Sequence, residues 1–345
     1  MVMMRWSLIR QFGLRDFSPV GKMQRQGILL GLEEAFTRPY RPLLAAMAAY
    51  LTAHGMGTCT YVSIHDESGE VEGFVQVRLR RNRPEADVVF LSPTLHEADD
   101  LSQVWVRLLK QVCLGVAERG VQRIFARLPE GGLEMGPFRQ AGFGVYTRED
   151  IFRITPGDMK EQLSTARPFP ALRPESAIDN WGLHQLYMAI APRLVQQAEN
   201  LAEPGGDNWT GFGRREGYIL EDQGEIIGYL QLWQGQIGHW LRILLHPRAY
   251  DQIDRLLDHS LACWRRYPRR PLYCAVREYQ GGLRGPLEAH GFQFFATQAI
   301  VVKHTTARAQ EPVRRLVPAL EKRIEPTTPM VNSECSPPSA VVKSR

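Results

Sequence analysis

The strongest constraint on this chain is that it repeats itself. Gly-Glu-Val-Glu-Gly-Phe-Val-Gln-Val, starting at Gly69, is answered by Gly-Glu-Ile-Ile-Gly-Tyr-Leu-Gln-Leu starting at Gly224. Ser92-Pro93 closes an apolar run ahead of a helical pattern, and His246-Pro247 does the same. Gly136-Pro137-Phe138 leading to Ala141-Gly142-Phe143 returns as Gly285-Pro286-Leu287 leading to His290-Gly291-Phe292. The landmarks keep their order while their offset shortens, which is what loop deletions do to a duplicated unit. Two similar domains in tandem follow, over residues 1–160 and 168–304. The prolines between Pro156 and Pro174 place the boundary near residue 165.

A chain of 345 residues, 44% hydrophobic and 23% charged, has material for two separate cores. No apolar run approaches the roughly 20 residues that span a bilayer, and Arg5 and Arg10 interrupt any signal-peptide core. A cytoplasmic protein with no membrane partner is expected. Of the net charge of +5, residues 305–345 hold seven Lys/Arg against four Asp/Glu, so the rest of the chain carries only +2. That balance gives no electrostatic footing for nucleic acid. Five cysteines (Cys59, Cys113, Cys263, Cys274, Cys335) show no metal-ligand spacing, so buried thiols and no metal are expected.

In the first repeat, Trp6 to Phe12 reads as a strand and Ile28 to Leu51 as helical hairpin material broken at Pro39 and Pro42. Thr58 to Ile64 and Val71 to Leu79 read as an antiparallel pair turned at Asp66 to Gly69, followed by a short apolar strand at Val88 to Leu91. Leu101, Val104, Trp105, Leu108, Leu109, Val112 and Val116 fall at helical spacing, with Asp99 and Asp100 favouring the first turn. A strand at Val121 to Leu128, a short helix at Pro137 to Gln140 stopped by Gly142, and a closing strand at Val145 to Ile154 complete the unit. The second repeat offers a strand at Phe169 to Leu172, helices over Asp179 to Leu201, strands at Tyr218 to Leu220, Ile226 to Trp233 and Trp240 to Leu245, and a helix whose inward stripe is Ile253, Leu256, Leu257, Leu261 and Trp264. Pro271 to Val276 and Phe292 to Val302 supply its last strands. Beyond Lys303 periodicity fades, and a disordered tail is expected over 305–345.

This order of elements, with its Gly-Phe landmarks, resembles the GNAT acyltransferase superfamily over roughly residues 5–155 and 168–304. The resemblance implies an α/β fold of mixed sheets in each half. It also implies acetyl-CoA or another acyl-CoA as cosubstrate, lying where the fourth strand parts from the fifth, with a small-molecule or peptide amine as acceptor. In the family, strand backbone groups hold the pantetheine, and amides of a glycine-bearing loop at the next helix's N-terminus hold the pyrophosphate, where free N–H groups and the helix dipole favour anions. Neither copy keeps that loop. The first reads Thr94 to Asp100 with Glu97, Asp99 and Asp100 where an anion would sit, and the second reads Arg248 to Gln252 without glycine. The expected cosubstrate contacts are therefore Leu244, Leu245, Arg248, Ala249, Tyr250 and Gln252 of the second repeat, Arg248 meeting a phosphate.

The family's usual acid, a tyrosine four residues before the Gly-Phe pair, is replaced by Phe138 and Leu287. Tyr279, just after the fifth strand of the second copy, is the nearest replacement, and His239, opening its fourth strand, is the candidate base. Trp233, Trp240 and Trp264 are expected to pack in the core. Two functions are then open. One is an acyl-CoA-dependent N-acyltransferase working in its second half over a silent first half. The other is a non-catalytic GNAT-like binding or regulatory protein. Acceptor and oligomeric state are not legible in the residues.

Overall fold

The computed structural model describes residues 7–52, 57–97, 101–158, 168–199 and 214–305. Asp99, Asp100, the boundary near residue 165 and the tail beyond Thr305 lie outside them. The first repeat runs β1 (Ser7–Gln11), α1 (Phe17–Met23), β2 (Ile28–Leu29), α2 (Leu32–Thr37), α3 (Pro42–Leu51), β3 (Thr58–His65), β4 (Val71–Leu79), β5 (Glu85–Ser92), α4 (Leu101–Ala117), β6 (Arg123–Pro129), α5 (Met135–Gln140) and β7 (Gly144–Ile154). The second runs β8 (Leu172–Pro174), α6 (Asn180–Ile190), α7 (Arg193–Glu199), β9 (Arg215–Asp222), β10 (Glu225–Gln234), β11 (His239–Leu245), α8 (Ile253–Trp264), β12 (Leu272–Arg277), α9 (Arg284–Ala289) and β13 (Gln293–His304). Ile28 and Leu29 are a correction to the helical expectation: they pair with β5 instead.

The repeats share one mixed sheet in the order β1-β3-β4-β5-β6-β13-β7-β12-β11-β10-β9-β8. Among the described strands only β5 with β6 and β11 with β12 are parallel. The last strand of each repeat lies beside the penultimate strand of the other: β13 pairs with β6 and β7 pairs with β12, while β7 and β13 pair with each other. The two halves are thus closed by each other's chain.

The amphipathic helices behave as their spacing dictates. Trp105, Leu108, Leu109, Val112 and Val116 of α4 are wholly buried in the first core, and Ile253, Leu256, Leu257, Leu261 and Trp264 of α8 are buried in the second. The Gly-Phe landmarks are matching helix stops. Gly142 and Gly291 sit at φ +89° and +88°, and Phe143 N and Phe292 N each donate 3.0 Å back to the carbonyls of Phe138 and Leu287. A residue with a Cβ is strained at that φ, which is why glycine recurs there. Another repeated device went unread in the sequence. Arg10 clamps Asp16 (2.7 and 2.8 Å) and Arg173 clamps Asp179 (2.8 and 2.7 Å), each pair tying the first strand of a repeat to its first helical turn.

The helices of each half also reach over the other. Phe36 of α2 stacks on Tyr273 of β12 with ring centroids 4.9 Å apart, inside an aromatic cluster that includes Trp233 and Trp240. Conversely, Tyr187 and Val195 of α6 and α7 pack on Phe125 of β6 and Tyr146 of β7. Trp264 is in the second repeat's core, so all three tryptophans pack as expected. Cys59, Cys113, Cys263 and Cys274 are buried free thiols. Among the described residues no helix is long and apolar enough to cross a membrane.

Candidate functional site

The sheet parts at two equivalent places, and the chain treats them differently. In the first repeat, β5 and β6 pair only from Glu85↔Arg123 to Asp87↔Phe125. Past Asp87, β5 keeps β4 on one side, and its other edge is taken by β2, which pairs Ile28 with Leu91 and Leu29 with Phe90. Leu30 N adds a bond of 2.8 Å to Val89 O. A strand edge with unpaired amides accepts an added strand, and here the added strand is the protein's own.

In the second repeat, β11 and β12 pair from His239↔Leu272 to Arg242↔Ala275 and then separate. Among the described residues no strand fills this gap, and a cleft of about 970 Å³, counting the space open to solvent, lies there. One side chain crosses the gap: Gln280 Nε2 donates to Ile243 O at 2.9 Å, with Gln280 only 2% exposed. Leu244 and Tyr279 line the cleft beside it, while α6 and α7 contribute Tyr187 and Glu199.

Because the last strands are exchanged, much of the wall comes from the first repeat. Glu149 of β7 sits level with Gln298 of β13 on one side and Arg277 of β12 on the other. It accepts from Arg277 Nε at 3.0 Å and from the Gln298 amide, with Arg127 Nε 3.9 Å away. Glu199 accepts from Tyr146 (2.9 Å) and Tyr187 (2.7 Å) and pairs with Arg277 at 3.2 Å. Burial alone would raise the Glu149 carboxyl, but Arg277, Arg127 and Arg242 hold it below its usual range. Arg277 is held well above its ordinary value, against the effect of burial, by Glu199 and Glu149. Burial pushes Tyr279 up to about 12, so its phenol keeps its proton at neutral pH. None of these charges was singled out in the sequence, because they come from four strands and a helix and share no spacing.

Of the residues expected at the cosubstrate, Leu244 reaches the cleft and Leu245 does not, being fully buried in the second core with Ala249. Tyr250 packs against that same core. Arg248 is half exposed and forms an ion pair with Glu225, and Gln252 donates to Asp251 at 2.6 Å. The loop's first amides are already engaged: Arg248 N donates to His246 Nδ1 at 3.3 Å and Ala249 N to His246 O at 2.9 Å. With those amides taken and no glycine to admit a close approach, the loop does not fit a pyrophosphate as it stands.

His239 and Tyr279 are not brought together. His239 is wholly buried outside the cleft, its Nε2 2.9 Å from Pro268 O and its ring 5.3 Å from Tyr267. Burial lowers its pKa, and Arg270 adds to that. Phe138 and Leu287, at the family's acid positions, are both fully buried. Among the described residues no cluster of His, Cys, Asp and Glu is arranged to hold a metal ion.

No protein family's sequence profile matches the chain, and no curated protein does. Solved structures resemble it in shape. A GCN5-related N-acetyltransferase from Sphaerobacter thermophilus is 12% identical, with 87% of this chain and 96% of that one covered and a TM-score of 0.48. A tandem GNAT protein from the clavulanic acid biosynthesis pathway, solved without AcCoA, is 14% identical over 87% and 99% with a TM-score of 0.49. A probable N-acyltransferase from Enterococcus faecalis is 10% identical over 88% and 74% with a TM-score of 0.44. All three scores are below 0.5, and the fold is read from this chain's own topology. Both repeats follow the expected order of elements, including the parting of the parallel pair, so the chain is a tandem of two GNAT-like α/β folds that exchange their last strands.

Proposed function

We propose that this chain is a GNAT-like binding protein whose ligand site is the cleft at the second parting, and that it has given up acyl-CoA chemistry. The observation that carries this reading is that the chain's own groups take backbone partners a cosubstrate would use at both partings. β2 covers β5 in the first repeat, and Gln280 takes the Ile243 carbonyl in the second. A pantetheine lying along β11 would have to compete for that carbonyl. Its pyrophosphate would meet amides already bonded to His246. The test is a calorimetric titration of the full chain with acetyl-CoA. The reading expects no saturable binding, and micromolar binding would overturn it.

A second reading, an acyl-CoA-dependent N-acyltransferase working in the second half, is favoured by one observation: Tyr279 and Leu244 share the cleft at the unfilled parting. In that reading the amine nitrogen of a small-molecule or peptide acceptor bonds to the acyl carbon as the carbon–sulfur bond breaks. The Tyr279 phenol supplies the proton the sulfur gains and recovers one that the nitrogen sheds. Acyl transfer from acetyl-CoA to an amine, lost in Tyr279→Phe, would establish it in place of the first.

A further inference from the structure

Four guanidinium groups, those of Arg80, Arg127, Arg242 and Arg277, line the cleft, against the carboxylates of Glu149 and Glu199. Arg80 is anchored from behind by Glu85 and Asp87, at 2.8 and 2.7 Å, and Arg242 by Glu33 at 2.6 Å. These acids fix the arginines in place and stand outside the cleft wall. Each guanidinium has five N–H donors, and one carboxylate satisfies two of them at most in a forked pair. Arg127 Nε and Arg277 Nη1 have no hydrogen-bond acceptor among the described residues. A buried N–H without an acceptor is costly, so these two donors favour an incoming oxygen. Beside the charges, Phe125, Ile300, Ala275 and Leu244 give the cleft an apolar wall.

We infer that the cleft binds a small organic oxyanion, a carboxylate or a phosphate carried on a compact apolar body, whose charged end lies among these four arginines. The inference rests on the cleft being the ligand site and names the chemical class that site takes. It needs no acyl-CoA, so it stands or falls separately from acyl transfer. Arg80 and Arg127 belong to the first repeat and Arg242 and Arg277 to the second, so the joined sheet brings all four together.

The test uses the full chain and three probes with one common ring, namely benzoate, phenyl phosphate and benzyl alcohol, titrated calorimetrically at fixed ionic strength. At least one of the two anions is expected to bind in the millimolar range or tighter, and the neutral alcohol at least about tenfold more weakly. Which anion binds better distinguishes a carboxylate ligand from a phosphate ligand. Arg277→Gln should weaken the anion about tenfold or more. Should that variant fail to fold, Arg242→Gln is the substitute, since the Arg242 side chain is more exposed than that of Arg277, 29% against 19%. Arg248→Gln, outside the cleft, should leave the anion's affinity unchanged. Failure of both anions to bind, equal binding of the alcohol, or undiminished anion binding in the folded cleft variant would overturn the inference. Acetyl-CoA binding with no response to either anion would instead favour acyl transfer while removing this ligand class.

Discussion

Gln280, only 2% exposed, holds the carbonyl of Ile243 at 2.9 Å across the gap where β11 and β12 part. A buried carbonyl left without a partner costs about 1–3 kcal/mol. Gln280→Ala should therefore lower unfolding free energy by about 1 kcal/mol or more, read as a shift in denaturant midpoint at constant slope. An unchanged midpoint would show that the bond is incidental and the gap open.

The strand exchange predicts cooperativity that a duplicated sequence does not suggest. β7 and β13 cannot leave the sheet without stripping partners from both repeats, and Glu149 with Arg277 binds the seam. Calorimetry should show one unfolding transition for both repeats. Two resolved transitions would mean that the halves unfold as independent domains.

Two histidines set a stability slope on the acid side of neutrality. Burial lowers the pKa of both His239 and His259, with Arg270 and Arg266 respectively adding to the effect. His259 Nδ1 accepts the Phe169 amide at 3.0 Å, which suits a neutral ring. The unfolded chain binds these protons near pH 6.5 and the folded chain only at lower pH, so stability is full above about 6.5 and falls as pH drops toward the folded values. Each histidine can contribute a slope of up to about 1.4 kcal/mol per pH unit in that window. Denaturant midpoints at pH 7.5, 6.5 and 5.5 should decline, and His239→Asn should flatten part of the decline. A constant midpoint over this range would contradict the assignment.

Much of the fold was legible because local pattern and burial agree. The stripes of α4 and α8, the β3–β4 and β9–β10 pairs, and the Gly142 and Gly291 stops each follow from residues close in sequence. The strand exchange was not, since the alternation in β7 and β13 is the same whichever neighbour they choose. Ile28 and Leu29 read as helix because a two-residue strand is set by its partner, β5, and not by its own sequence. Of the residues that line the cleft, Leu244 in β11 and Tyr279 just after β12 were named in the sequence from the family resemblance. Glu149, Arg127, Arg242 and Arg277 were invisible because only the folded sheet makes them neighbours. His239 was misleading in the ordinary way of a lone histidine, whose ring here satisfies a backbone carbonyl in the core.

The proposed loss of acyl-CoA binding rests on the chain's own groups taking the cosubstrate's backbone partners at both partings. Its most direct test is titration of the full chain with acetyl-CoA, alongside Arg248→Glu. If the claim holds, any affinity is weaker than about 1 mM, or roughly −4 kcal/mol, and Arg248→Glu changes nothing measurable. Saturable one-to-one binding in the micromolar range, weakened about tenfold or more by Arg248→Glu, would contradict it and place a working acyl-CoA site in the second repeat.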